Sequence, residues 1–131
     1  MAAKKKAKAK PKVKRKAPAK TTSAKIASKL TRKFKSLADV RAAIDAMDEK
    51  IVPLLCERLY YVTQAAQFKP SVKGVVVQWR VEEVVENAKR LAKPFGANAE
   101  TIEAIYRVLV DASTLDEQQR WRDLHARSSP T

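Results

Sequence analysis

The sequence predicts an all-α fold in which a long first helix and two shorter helices form one domain. Apolar residues recur three or four positions apart in three segments, which is the spacing of a helix face that packs against other helices. Pro and Gly separate these segments. The valine run at residues 75–77 is a candidate strand, but it has no partner in the sequence, so we discount a sheet.

Residues 1–36 form a strongly basic tail that we expect to be disordered. They hold fifteen Lys and Arg residues and no acid, whereas the other 95 residues hold 13 basic and 14 acidic residues, so the net charge of +14 belongs to the tail. Repulsion between lysines and a lack of large apolar side chains oppose folding. Such a tail attracts polyanions by counterion release, which predicts non-specific nucleic-acid contact by residues 4–35, and a solvated extension is the alternative.

The first helix is predicted over residues 37–69. Ser36 is a suitable N-cap and is followed three residues later by an acid. Pro53 lies inside the apolar pattern, which stays in phase on both sides, so we expect a kink and not a break. Pro70 is the predicted stop because it biases Lys69 away from helical geometry. The apolar stripe of this helix consists of Leu37, Val40, Ile44, Met47, Ile51 and Leu54.

Two further helices complete the predicted domain. A loop over residues 70–77 leads to a second helix over residues 78–95, which ends at a glycine. Asn98 is the expected N-cap of the third helix. The helical domain is therefore predicted to span residues 37–124, and residues 125–131 are expected to fray.

Polar residues occupy inward positions of the helices, namely Arg58 and Lys69 on the first and Ser113 and Glu117 on the third. Buried charges must be paired or answered by a ligand. Arg58 and Lys69 are only about 20° apart around the helix axis and ~16 Å apart along it, so they share a face. Arg41 lies roughly 26 Å from Arg58 along the same helix. A small anion that uses all three cations therefore needs Arg41 from a second chain of a symmetric dimer.

These cations, with "IDAMDEKIVPLLCER" between Arg41 and Arg58, resemble the first helix of the all-helical chorismate mutase family. The stretch "RLYYVTQAAQFK" resembles its isochorismate pyruvate lyase branch, and the similarity covers about residues 37–121. The resemblance implies an intertwined homodimer of three-helix chains in which Arg41 comes from the neighbour. It also implies that Arg58 and Lys69 belong to the main chain of the site and that Arg80 is the arginine that opens helix two.

The implied activity is the concerted rearrangement of chorismate to prephenate, without metal or cofactor. Cations hold the two carboxylates and stabilise charge on the breaking ether oxygen. Glu117 stands where many members have a glutamine, and a glutamate can donate there only when protonated. We therefore expect burial to raise its pKa, opposed by neighbouring cations. The candidate catalytic residues are Lys69 and Glu117, and the candidate substrate-binding residues are Arg41, Arg58, Arg80 and Ser113.

Two alternatives to a mutase stay open. Many members have a glutamate after the helix-two arginine, where this chain has Val81, and this departure favours an isochorismate pyruvate lyase that gives salicylate and pyruvate. The other alternative is a non-enzymatic protein that dimerises through its helical body and binds nucleic acid or a partner through its tail.

The sequence also bears on location. It has no apolar run of the length that a secretory signal or a membrane span needs, and its single cysteine, Cys56, suits a reducing compartment. We therefore expect a cytoplasmic protein that does not contact membranes.

Overall fold

The computed structural model describes residues 20–126 of the 131-residue chain, with side chains from residue 24 onward. All regular structure in this part is helical, which confirms the all-α class. None of its helices has the length and apolar character of a membrane span. Four α-helices, which we number α1 to α4, span Lys20–Lys29, Leu37–Ala65, Gln78–Ala92 and Ala99–Ala126. Short 3-10 helices lie between α2 and α3, at Ala66–Phe68 and Lys73–Val75, and between α3 and α4, at Lys93–Phe95.

The described chain divides after Thr31 into two compact units, and the first contains α1. This helix lies within the range 1–36 that the sequence predicts to be disordered, so the prediction is wrong for residues 20–29. The physical reason is that these ten residues hold only three lysines, and the one pair at helical contact spacing, Lys25 and Lys29, costs only about 0.2–0.5 kcal/mol. Thr31 ends the segment by donating its hydroxyl to the carbonyl of Ser28 at 2.8 Å. Residues 1–19 of the predicted tail lie outside the described residues.

The second unit begins with the long helix α2, whose ends follow the sequence signals. The Ser36 hydroxyl accepts a hydrogen bond from the Asp39 amide at 3.1 Å, and the helix is not broken at Pro53, as predicted. The α-helical part ends at Ala65, and a 3-10 turn leads to Lys69. Lys69 is extended, with φ −99° and ψ 141°, which agrees with the effect expected of the following proline.

The helices α3 and α4 also begin and end at the predicted signals, except at the C-terminus. Gly96 has the left-handed φ of 69° that closes the helix before it, and the Asn98 side chain accepts from the Glu100 amide at 2.9 Å. The helix α4 has 28 residues, almost as many as α2, and continues to Ala126. The prediction of fraying from residue 125 is therefore wrong for residues 125 and 126, because polar and aromatic contacts between successive turns replace the lost apolar pattern; residues 127–131 lie outside the described range.

The helix α4 packs against both α2 and α3. Arg107 on α4 binds both carboxylate oxygens of Glu82 on α3, at 3.0 and 3.1 Å. Further along, Glu103 accepts from Lys89 and from Arg107, each at 3.1 Å. Since the pairs run from Glu82 to Lys89 on α3 and from Arg107 to Glu103 on α4, the two helices are antiparallel.

The apolar core of the second unit is small. Its buried apolar residues are Ala66, Val75, Val85 and Ala88, and all of α2 lies within the described range without a buried residue. The predicted packing of the α2 stripe is therefore not made within one chain: Leu37, Ile44, Met47, Ile51 and Leu54 are exposed.

Helix alignment explains why most of the α2 stripe is exposed. Arg58 on α2 lies beside Tyr106 on α4, and Lys69 lies beside Glu117. The chain advances by 11 residues from Arg58 to Lys69 and by 11 residues in the same direction from Tyr106 to Glu117, so the two helices run parallel. The start of α4 therefore lies about level with Ile51 of α2. The part of α2 before Ile51 therefore extends beyond α4.

We predict that Glu103→Gln weakens the contact between α3 and α4. Hydrogen bonds from Lys89 and Arg107 hold the pKa of Glu103 below its usual value of 4.5. Its ionised form therefore contributes stability above that value, and this contribution is lost as pH falls through the lowered pKa. Urea unfolding should show a lower midpoint for the variant at neutral pH and a shrinking difference below about pH 4. The control Glu49→Gln on exposed α2 should unfold like the wild type, and a pH-independent difference for Glu103→Gln would contradict the assignment.

Candidate active site

A cavity of about 400 Å³ opens between the C-terminal half of α2, the start of α3 and the middle of α4. This volume lies in the range of about 300–1,000 Å³ that is common for small-molecule sites. One part of the wall is apolar, and the other is polar and contains three cations. Its lining includes Val62, Val75, Val76, Val77, Val81, Val84 and Val110 and, on the polar side, Arg58, Tyr61, Lys69, Arg80, Ser113, Thr114 and Glu117.

Arg58 reaches the cavity from α2, as its inward position in the helical pattern predicts. Its guanidinium carbon lies 5.7 Å from the centre of the Tyr106 ring, a cation–π contact with α4. Its Nη1 atom is buried and has no hydrogen-bond partner among the residues that the structure describes. A buried donor without a partner carries a desolvation cost of about 1–3 kcal/mol, and more when it is charged, so this atom favours an anionic ligand.

Lys69 enters the cavity from the point where the chain leaves the helix. Its ammonium lies 3.4 Å from the carbonyl oxygen of Val75 and 3.8 Å from Oε1 of Glu117 on α4. The same Glu117 Oε1 is buried and has no hydrogen-bond partner among the described residues. A carboxyl and an ammonium therefore face each other across one end of the cavity without direct hydrogen bonding.

Glu117 is only 6% exposed. Its burial raises its pKa above the usual value of 4.5, and the nearby charge of Lys69 opposes this shift. The direction and both causes agree with the sequence-based expectation. A carboxyl that retains its proton to higher pH can donate a hydrogen bond to a ligand oxygen.

Arg80 and Ser113 also line the cavity, but each already has a partner. Arg80, at the start of α3, forms an ion pair with Glu83 on its own helix, with 2.6 Å between Nη1 and Oε2. Ser113 is 2% exposed and donates its hydroxyl to the carbonyl of Leu109 at 2.6 Å. The Arg80 guanidinium has further N–H groups for a ligand, and the Ser113 oxygen can accept a hydrogen bond.

Arg41 is not brought to this cavity. It is exposed on α2, and it does not line the cavity of its own chain. Because α2 is continuous between residues 41 and 58, the two arginines are roughly 26 Å apart along the helix, which agrees with the geometric argument from the sequence.

Some residues at the site were not singled out as site residues from the sequence. Tyr106 supports the Arg58 guanidinium, and Thr114 adds a hydroxyl to the wall. The indole N–H of Trp121 donates to the backbone carbonyl of Lys69 at 3.0 Å. The available signal was periodicity, because Tyr106 precedes Ser113 by two helical turns and Trp121 follows Glu117 by one.

Comparison with known proteins identifies the family of this chain. Residues 40–118 match the family model of chorismate mutase type II. The chain is also similar to an isochorismate pyruvate lyase from Pseudomonas aeruginosa, with 31% identity over 86 residues that cover 66% of this chain and 85% of the lyase. The matched range contains the whole cavity lining from Arg58 to Glu117. The chain therefore belongs to the chorismate mutase type II family.

Proposed function

We propose that the protein is a chorismate mutase that converts chorismate to prephenate in this cavity. The observation that carries the proposal is the buried Nη1 of Arg58, a charged donor without a protein partner among the described residues. It lies in a cavity that also contains two further cations and one protonatable carboxyl. A small dianion would form ion pairs with these cations.

Binding follows from the donors of the cavity. A guanidinium fork binds a carboxylate through two parallel hydrogen bonds, which suits Arg58 and Arg80. Lys69 supplies a compact charge at the other end of the wall, close to Glu117. The valine-lined wall would contact the apolar part of the substrate ring, and the Ser113 oxygen would accept a hydrogen bond from the ring hydroxyl.

Catalysis would consist of positioning and electrostatic stabilisation. In the rearrangement the ether carbon–oxygen bond of chorismate breaks as a carbon–carbon bond forms between the enolpyruvyl methylene and the ring, so no side chain has to attack the substrate. Negative charge develops on the ether oxygen, and Lys69 and protonated Glu117 are the groups that would stabilise it.

A complete site would need a second copy of this chain. Arg41 is too distant to reach the cavity of its own chain, and the α2 stripe from Leu37 to Leu54 exposes apolar side chains over the same part of the helix. A symmetric dimer that covers this stripe would bring the neighbour's Arg41 to each of two equal cavities.

An isochorismate pyruvate lyase is the second candidate. The 31% identical relative carries that name, and Val81 lines the cavity where many family members have a glutamate. In this reaction the same ether bond breaks while a ring hydrogen passes to the enolpyruvyl methylene, which gives pyruvate and salicylate. The same cations would hold the two carboxylates.

The basic segment supports a separate role in contact with polyanions. Residues 1–36 carry fifteen cations and no acid. Near the end of this segment, the structure shows Arg32, Lys33 and Lys35 exposed. Such a segment binds nucleic acid through counterion release, without reading its sequence.

The decisive assay incubates purified protein with chorismate and, separately, with isochorismate, and it measures the loss of substrate and identifies the products. Arg58→Ala should lower kcat/KM by about 100-fold or more, because a charged donor to the substrate is lost. Its thermal unfolding should stay close to that of the wild type, since removal of a buried donor without a hydrogen bond offsets the loss of the cation–π contact with Tyr106. The matched control Arg122→Ala, on the exposed surface of α4, should retain activity. Full turnover by Arg58→Ala would show that the cavity is not the site.

The pH dependence of turnover should report Glu117. Only the protonated carboxyl donates, so kcat of the wild type should fall as pH rises through the raised pKa. Glu117→Gln keeps an N–H donor at all pH values, so its kcat should not fall over this range. A flat wild-type profile, or the same descending limb in Glu117→Gln, would exclude the carboxyl as the donor.

Deletion of residues 1–35 should separate the two roles. Catalysis should survive, because the cavity lining begins at Arg58. Binding of a DNA duplex, measured against salt concentration, should disappear together with its steep salt dependence. If the shortened chain binds DNA as tightly as the full chain, the polyanion site lies elsewhere.

A further inference from the structure

The backbone at Lys69 is held by a contact from α4. The chain leaves helical geometry at this residue, between the 3-10 turn Ala66–Phe68 and Pro70. The Lys69 carbonyl accepts a hydrogen bond from Trp121 Nε1 at 3.0 Å, which joins two residues that are 52 positions apart. Anchoring this carbonyl restricts the direction in which the lysine side chain leaves the backbone.

Residues of α4 contact both the side-chain ammonium and the backbone carbonyl of Lys69. Glu117 lies 3.8 Å from the ammonium, and Trp121, one helical turn further along the same face, holds the carbonyl. The Trp121 ring is itself stacked on His125, with 3.8 Å between ring centres and 16° between planes. Glu117, Trp121 and His125 therefore follow one another at one-turn intervals on the same face of α4, and Trp121 supplies the indole donor.

We propose that Trp121 is a positioning residue, which fixes the Lys69 ammonium beside Glu117 and so sets the cation of the active site. This inference rests on the proposed function, because it assigns Lys69 to the reacting end of the substrate. Trp121 does not line the cavity, so it acts through Lys69 and not on the substrate. Without the indole N–H, the free carbonyl and the following loop allow the lysine to move away.

The electrostatics of Glu117 supply a readout for this position. The charged or titratable groups that line the same cavity are Arg58 and Tyr61 from α2, Lys69 from the chain after it and Arg80 from α3. Among these, Lys69 is the group that opposes the effect of burial on the Glu117 pKa. Displacement of Lys69 would therefore raise this pKa further.

The test is Trp121→Phe, which retains an aromatic ring to stack on His125 and removes the N–H donor. We expect kcat to fall by about 10- to 100-fold, the loss that small displacements of catalytic groups cause, and to change more than KM. The midpoint of the descending pH limb should also move to higher pH. The matched control is Trp79→Phe, an exposed tryptophan outside the cavity lining, which should keep the wild-type kcat and midpoint.

A purely structural role of Trp121 gives a different result. Loss of packing lowers the amount of folded enzyme and reduces activity without moving the midpoint, so a fall in kcat with an unchanged midpoint overturns the proposal. Wild-type kcat in Trp121→Phe overturns it as well.

A second measurement needs no variant and no turnover. The chain has two tryptophans, and in the folded wild type the indole N–H of Trp121 should exchange with solvent at least about 10-fold more slowly than that of Trp79. Equal exchange rates overturn the proposal. This outcome does not depend on whether Trp121→Phe folds. If the wild type turns over neither chorismate nor isochorismate, the proposed function fails, and the exchange rates still decide whether Trp121 holds Lys69.

Discussion

The structure of the site depends on the burial of opposite charges that do not satisfy one another. Arg58 Nη1 and Glu117 Oε1 are both buried without a hydrogen-bond partner among the described residues, and both belong to the lining of one cavity. Desolvation of such groups is unfavourable, and a folded chain offsets it elsewhere when the groups serve a ligand. The same burial raises the pKa of Glu117 above its usual value, and the charge of Lys69 opposes this shift.

The arrangement of the helices places these groups together. The parallel alignment of α2 and α4 places Arg58 beside Tyr106 and Lys69 beside Glu117. The second contact lies 11 residues after the first in both segments. The antiparallel α3, fixed to α4 by the ion pairs of Arg107 and Glu103, adds Arg80. The apolar core that supports this arrangement is small within one chain, so assembly with a second chain would contribute to stability as well as to the site.

Much of this could be predicted from the sequence, because helix caps and inward cations depend on local spacing. Ser36, Asn98 and Gly96 mark helix ends where predicted, and the helical period places Arg58 on the cavity side. Contacts between distant segments could not be predicted. The hydrogen bond from Trp121 to the Lys69 carbonyl depends on the alignment of two helices, which periodicity does not specify.

The errors have a related origin. The net charge predicts disorder for all of residues 1–36, although residues 20–29 hold only three lysines and form α1. The end of the apolar pattern predicts fraying of the C-terminus, whereas α4 continues to Ala126 with Trp121 stacked on His125. The exposed α2 stripe was expected to pack, and one chain alone does not supply its partner.

The central claim is that each active site joins Arg58 of one chain to Arg41 of another, and mixing two inactive variants tests it directly. Arg41→Ala and Arg58→Ala should each be nearly inactive alone. After unfolding and refolding together in equal amounts, half of the dimers are mixed and each has one intact site, so about a quarter of the wild-type activity should return. A mixture that is no more active than its parents, or an Arg41→Ala protein with full activity, would contradict the account.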